Sequence, residues 1–418
     1  MDLTREAAAA LDAADPLAAF RARFTGAGED GLLYLDGNSL GRLPVETPAA
    51  VARVVEQEWG RGLIGSWSAW IEVATRIGDA LAAGVLGARP GEVLVADSTS
   101  VNLYKLLVAA AEARPGRDVL VCTADDFPTD RYIVDGVARA RGLTVRRVAA
   151  DIDEGLDPAG LAAALDGRVA VVVLSAVAYR SGARADIAAI TRQVHDAGAL
   201  VLWDLSHAAG AVPVELAAAG ADLAVGCTYK YLNGGPGAPA FLHVRGDLQE
   251  RLRQPIWGWF GQRDQFAMGP HYDPVPGIER FGVGTPPVLG MAAVEVGVRL
   301  TAEAGIDRLA AKARELTGLT VALADEWLAP HGVVLASPRD PARRGAHVTL
   351  AHPQAWQMAQ ALIDRGVVPD YRTPDRVRLG PAPLYTRFVD VWDAMARFRD
   401  LLVEGAHERY PAERARVT

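Results

Sequence analysis

Lysine is nearly missing from this chain. Only Lys105, Lys230 and Lys312 occur among 43 basic residues, so the other 40 are arginine. Heavy use of alanine, arginine and glycine accounts for the bias. Its consequence is that a chemistry needing a lysine amine has three candidates. Cysteine is scarcer still. Cys122 and Cys227 sit in apolar, strand-like surroundings at a spacing that matches no zinc pattern, which excludes a disulfide scaffold and reads as two reduced core thiols of a cytoplasmic protein. No apolar run reaches the ~18 residues of a membrane-crossing helix, so no membrane partner is expected. The opening residues, Met1-Asp2-Leu3-Thr4-Arg5-Glu6, are acidic and amphipathic and lack the apolar stretch of a signal peptide. Basic blocks are missing as well: the net charge of −8 is spread among mixed signs, which gives nucleic acid nothing to bind. No metal site is expected.

What is present is length and apolar content. A chain of 418 residues, half of them hydrophobic, is long enough for one large domain and a smaller companion. The first thirty residues read as one alanine-rich helix closed by Gly26-Ala27-Gly28. A loop, Tyr34 to Gly41, and a helix from about Pro48 follow. From residue 93 short apolar runs alternate with helical stretches: Val93–Ala96, Val119–Cys122, Val145–Val148, Val169–Leu174, Leu200–Trp203, Leu223–Val225 and Phe241–Val244. Runs that do not alternate in polarity fit strands buried on both faces, as in a mainly parallel sheet covered by helices. After Pro286 a long helical region over 288–328 leads into a small α+β unit: Val333–Leu335, Ala346–Leu350, a helix near 354–365, Val367–Val368, Val377–Leu379 and a helix from about 387. The expected division is a helical segment and loop over 1–60 that packs beside the small domain or on a partner, a large α/β domain over 61–290, and a small α+β domain over 291–418.

Two segments carry chemistry. In Leu200-Val201-Leu202-Trp203-Asp204-Leu205-Ser206-His207 an apolar strand ends in an acid, and strand carboxyl ends line the ligand crevice of an α/β sheet. Pyridoxal 5′-phosphate (PLP) needs a carboxylate there, because its ring is an electron sink only while the pyridine nitrogen stays protonated. An acid at that place also fits a cap on the next helix. Further on, Lys230 follows the apolar run Leu223-Ala224-Val225 and precedes Asn233-Gly234-Gly235-Pro236-Gly237. A lysine there is costly to bury unless paired or uncharged, a condition that a Schiff-base lysine meets; a lysine snorkelling from a strand end is the plainer alternative. Lys105 falls inside a helix and reads as structural. Lys312 falls on a long amphipathic helix and should be exposed. Asp97-Ser98-Thr99-Ser100 joins a strand to a helix start and fits a phosphate cradle or an ordinary cap. In Asp125-Asp126-Phe127-Pro128-Thr129-Asp130 the aromatic ring fits stacking on a flat heterocycle, or the segment is a capped turn.

Taken in order, these segments resemble the kynureninase family over roughly residues 33 to 390. The likeness also rests on Leu35 to Gly41, Tyr229-Lys230-Tyr231-Leu232-Asn233, Gly258-Trp259-Phe260-Gly261, Gly284-Thr285-Pro286-Pro287 and Arg378-Leu379-Gly380-Pro381-Ala382-Pro383-Leu384-Tyr385. The resemblance implies the PLP-dependent transferase-like fold type I and hydrolysis of L-kynurenine to anthranilate and L-alanine, a step of tryptophan breakdown. It implies that Lys230 holds the cofactor and that Asp204 pairs with its ring nitrogen. Phe127 would stack on the ring, with Pro128, Thr129, Asp130 and His207 supporting it and Ser175 lying near it. Thr99, Ser100 and Tyr229 would contact the phosphate, Tyr229 also serving as acid–base partner. Trp259 and Thr285 would reach the phosphate from the other subunit of a homodimer. Arg378 would clamp the substrate carboxylate, for which a planar guanidinium is suited; on its own it reads as a surface ion pair. Asn38, Ser39, Trp67 and Gly284 would lie at the substrate. Thr285 stands where relatives preferring 3-hydroxykynurenine carry asparagine, so 3-hydroxykynurenine is expected to be the poorer substrate. The rivals are a cysteine desulfurase, a class V aminotransferase and a PLP-binding sensor without catalysis. A desulfurase needs a mobile, accessible cysteine, which neither Cys122 nor Cys227 resembles.

Overall fold

The computed structural model describes residues 2–28 and 31–413. Met1 and the last five residues, on which the reading of the chain ends partly fell, lie outside them.

A seven-stranded sheet forms the centre. Its strands lie side by side in the order Val93–Val95, Phe241–Val244, Leu223–Gly226, Leu200–Asp204, Val169–Ser175, Val119–Thr123 and Thr144–Val148. All run parallel except Phe241–Val244, which is antiparallel to both neighbours. Val169-Ala170-Val171-Val172-Val173-Leu174 is buried along its whole length. That follows from helices on both faces, and each such apolar side chain contributes roughly 1.5–3 kcal/mol. Helix starts are set locally. Ser98 caps Thr99–Glu112 by accepting from the Val101 amide, Asp186 caps Ile187–Asp196, and Pro128 opens Pro128–Arg141, whose end is closed by Gly142 at φ 66°.

A second, four-stranded antiparallel sheet has the order Val334–Leu335, Val348–Ala351, Arg376–Leu379 and Asp370–Arg372. The chain start is tied to it. Leu33–Tyr34 pairs in parallel with Val367–Val368, and the Gly37 amide donates to the Gly380 carbonyl at 3.1 Å. Helix Arg5–Ala14 lies on Phe388–Val403, where Asp12 accepts from the Phe388 and Val389 amides. Ala8, Leu33 and Leu35 share one apolar core with residues between Leu316 and Ala406, separate from the cores around the large sheet.

Three expectations need correction. The first thirty residues are not one helix: Arg5–Ala14 ends before Pro16, and a 3₁₀ segment, Ala18–Arg23, follows. Pro16 lacks an amide proton and forces Asp15 into the extended region, at ψ 115°. The region 288–328 is two helices, Val288–Ala304 and Ile306–Leu323, because Gly305 turns the chain at φ 83°. Lys312 is not exposed. Its amine is buried 2.6 Å from the equally buried Asp15, so the N-terminal segment covers a helix face that the sequence made look free.

Candidate active site

The parallel strands deliver polar residues to one edge of the sheet. Ser175 and Asp204 end adjacent strands and are register partners. Thr99 and Ser100 open the helix after Val93–Val95, and Lys230 follows Leu223–Gly226. These are carboxyl-terminal strand ends, where an open α/β sheet presents its binding crevice.

Asp204 is held from below. Its Oδ1 accepts from the Ser206 amide at 2.8 Å and from Ser206 Oγ at 2.6 Å. Asp130 lies against it, and its carboxyl is driven well above the ordinary range, first by burial and then by the Asp204 charge. Lys230 Nζ lies 3.2 Å from His207 Nε2 and 6.0 Å from the centre of the Phe127 ring. Among the described residues no carboxylate lies within ion-pairing distance of Nζ, and burial lowers its pKa. His207 is likewise held far below the ordinary histidine range by burial, Lys230 and Arg378. The amine thus faces a neutral imidazole. Phe127 remains 38% exposed and meets Tyr179 edge-on at 5.3 Å. The Tyr229 hydroxyl is pushed up by burial and by the adjacent Cys227 thiol.

Arg378 stands on the opposite wall, 1% exposed. Its Nη1 is 3.5 Å from the same His207 nitrogen and donates to the Tyr179 carbonyl. Lys230 and Arg378 can therefore be no further apart than the sum of two short contacts, a spacing that suits the amine and carboxylate of one amino acid. Ser39 Oγ accepts from Nη2 at 2.9 Å, and the Asn38 side-chain carbonyl accepts from Nε at 2.7 Å. Asp370, the cross-strand partner of Arg378, forms an ion pair with it. Asp36, in the loop that carries Asn38 and Ser39, titrates near 6 because of burial and then the neighbouring Asp370 charge. The loop is pinned to the lysine turn: the Gly41 amide donates to the Tyr229 carbonyl at 2.8 Å.

Two regions expected at the site lie elsewhere in this chain. Trp259 meets Trp67 at 5.6 Å. Gly284 and Thr285 line a cavity of about 480 Å³ with Asp97, Phe260 and Glu72, and none of Lys230, Asp204, His207, Phe127 or Arg378 borders it. The sequence reading missed Asp36, Asp370, Arg372 and the buried His347, whose ring lies 5.5 Å from that of His207. The alternation Asp370-Tyr371-Arg372, two ionic side chains on one strand face, was the available signal.

Residues 309–398 match the model of the kynureninase C-terminal domain. Over 407 residues the chain is 46% identical to the kynureninase of Pseudomonas fluorescens, covering 96% of this chain and 95% of that one. The chain belongs to the kynureninase family. Kynureninase of Burkholderia pseudomallei strain 1106a is 46% identical over the same span. Solved structures agree on the fold. A cysteine desulfurase from Thermococcus onnurineus NA1 superposes with a TM-score of 0.78 at 18% identity, covering 90% of this chain and 96% of that one. The Escherichia coli cysteine desulfurase CsdA gives 0.77 at 19%, covering 93% and 98%. This kynureninase-family chain therefore has the fold-type I architecture of PLP-dependent enzymes.

Proposed function

We propose that the protein binds PLP and hydrolyses L-kynurenine to anthranilate and L-alanine, favouring L-kynurenine over 3-hydroxykynurenine, as a cytoplasmic enzyme of tryptophan breakdown. The observation that carries the reading, in a chain of this family, is the line Lys230–His207–Arg378 beside Asp204 and Phe127.

The residues fit the cofactor. A buried amine without a carboxylate partner, an exposed aromatic face below it, a carboxylate at one end and a helix start with hydroxyls nearby are the donors PLP requires. Lys230 would hold its aldehyde carbon and Asp204 its ring nitrogen. Phe127, Pro128, Thr129, Asp130, Ser175 and His207 would frame the ring, and Thr99, Ser100 and Tyr229 its phosphate. When bound, PLP supplies an electron sink for carbanion formation next to the amino group. Lys230 Nζ takes and returns the proton at the substrate α-carbon, a task that the lowering of its pKa by burial favours. Asp130, whose carboxyl burial and the Asp204 charge push up, lies hydrogen-bonded against Asp204 and fixes that carboxylate's direction. Arg378, with Asn38 and Ser39, orients the α-carboxylate. Tyr229 moves the proton needed when water adds to the side-chain carbonyl. The active unit is a homodimer: Trp259 and Thr285 serve the phosphate of the other copy, and Trp67 and Gly284 flank the aromatic end of the substrate. A division into a large and a small domain is supported by separate apolar cores on the two sheets, with Met291, Val294 and Val298 packed in the core of the large one, so the proposed limits 1–60, 61–290 and 291–418 follow the sequence rather than the cores.

The test is the holoenzyme with L-kynurenine, followed by anthranilate fluorescence, for wild type and Lys230→Ala. Wild type is expected to release anthranilate, and Lys230→Ala to lose both turnover and the visible absorbance of the bound cofactor. Normal turnover in Lys230→Ala refutes the assignment. Release of sulfur from L-cysteine by the wild type would instead revive the desulfurase reading, which the two buried thiols disfavour.

A further inference from the structure

Arg378 shares its donors with the protein and does not bind a carboxylate with a full set of its own. Its Nε and Nη2 are taken by Asn38, Nη2 also by Ser39 and Asp370, and Nη1 by the Tyr179 carbonyl. Two residues along the strand from Asp370, Arg372 reaches the same oxygen, with Nη2 3.0 Å from Asp370 Oδ2. Its other donors are poorly used. Among the described residues Nε is buried without a partner, and Nη1 reaches only the Tyr371 carbonyl, at 3.3 Å. Its side chain is 29% exposed, against 1% for Arg378. Its charge acts on both His207 and Lys230. Asp370 Oδ2 thus already bridges two guanidinium groups, in the way an incoming carboxylate would.

From this geometry we infer that Arg372 is a second guanidinium of the substrate α-carboxylate site, and that Asp370 is the internal counter-ion a ligand carboxylate displaces or shares. The inference rests on the reading of Arg378 as the carboxylate clamp and adds a neighbouring guanidinium that is partly exposed and weakly held. Guanidinium–carboxylate hydrogen bonds are among the strongest available to a site, and the partly exposed Arg372 guanidinium can turn Nη1 and Nη2 from the Tyr371 carbonyl and Asp370 to a ligand without breaking the Asn38 and Ser39 contacts that fix Arg378.

The experiment uses the holoenzyme as wild type, Arg372→Gln and Arg372→Lys. It measures kcat and KM for L-kynurenine, and the calorimetric Kd of L-alanine and of the amine analogue of kynurenine that lacks the carboxylate. Arg372→Gln is expected to raise KM for L-kynurenine and Kd for L-alanine by about ten- to a hundred-fold, with a smaller loss in kcat. The amine analogue should bind as to wild type, and Arg372→Lys should recover part of the loss. Unchanged alanine affinity in Arg372→Gln overturns the inference, as does equal weakening of the amine and the amino acid, which marks a structural role. A wild type that binds L-alanine in an Arg372-dependent way but releases no anthranilate refutes the catalytic reading and supports this one. Anthranilate release with Arg372→Gln kinetics unchanged does the reverse.

Discussion

Replacing Asp36 by asparagine should stabilise the protein, and only above a defined pH. The Asp36 carboxyl is withdrawn from water beside Asp370, and its pKa rises from the ordinary 3.8 to about 6. A folded-state pKa above the unfolded one means that the native state binds the extra proton between those values. Ionised Asp36 is thus a penalty that is absent below about pH 4, grows between 4 and 6, and is complete above 6. Two pH units correspond to about 3 kcal/mol, and partial access of solvent brings the expected value to about 2 kcal/mol. Asparagine mimics the protonated side chain at every pH. The assay is urea unfolding of wild type and Asp36→Asn, followed by tryptophan fluorescence at several pH values from 4 to 8. The stability difference should be near zero at pH 4 and should rise to a plateau above pH 6. A difference that does not vary with pH, or that favours the wild type at pH 8, refutes the reasoning.

Lys312→Met strands the Asp15 carboxylate in the core and should cost about 3–5 kcal/mol in the same unfolding assay, and combining it with Asp15→Leu should return most of the loss. Gly41→Ala places a methyl group 2.9 Å from Asn233 Cα and against the Lys230 carbonyl; it should lower kcat at least tenfold by pushing the Asn38–Ser39 loop off the lysine turn, measured as anthranilate release. Cys122 and Cys227 are both buried, and burial pushes the Cys122 thiol up to about 12. A disulfide reagent should therefore titrate neither in the native protein and both in guanidinium chloride; a rapidly reacting thiol in the native state would contradict the packing.

The sheet was legible because its strands are continuous apolar runs. Val169 to Leu174 admits few readings other than a buried strand, and the structure differs from the expected strand limits by a residue or two. The amine and the acid were legible because lysine is scarce, the acid ends an apolar strand and the amine closely follows another. What stayed hidden was long-range pairing. Nothing local to Lys312 indicates Asp15, which arrives from the other end of the chain. Asp370 and Arg372 gained meaning only when antiparallel register set Asp370 opposite Arg378. The short strand Asp370–Arg372 escaped notice because charged residues hold two of its three positions. Gly305 and Pro16 stand in the sequence as the breaks that the apolar patterning of both helical stretches masks.

The strip of backbone joining Leu33–Tyr34 to Val367–Val368, and Gly37 to Gly380, fixes the order in which the molecule can become competent. A nascent chain carries Lys230 and Asp204 well before residues 366–380 have left the ribosome, and until they do the segment bearing Asn38 and Ser39 has only the lysine turn to meet and lacks its strand partner. A polypeptide stopped short of that point would hold the amine and the acid on a finished sheet and still lack the wall that grips an amino acid.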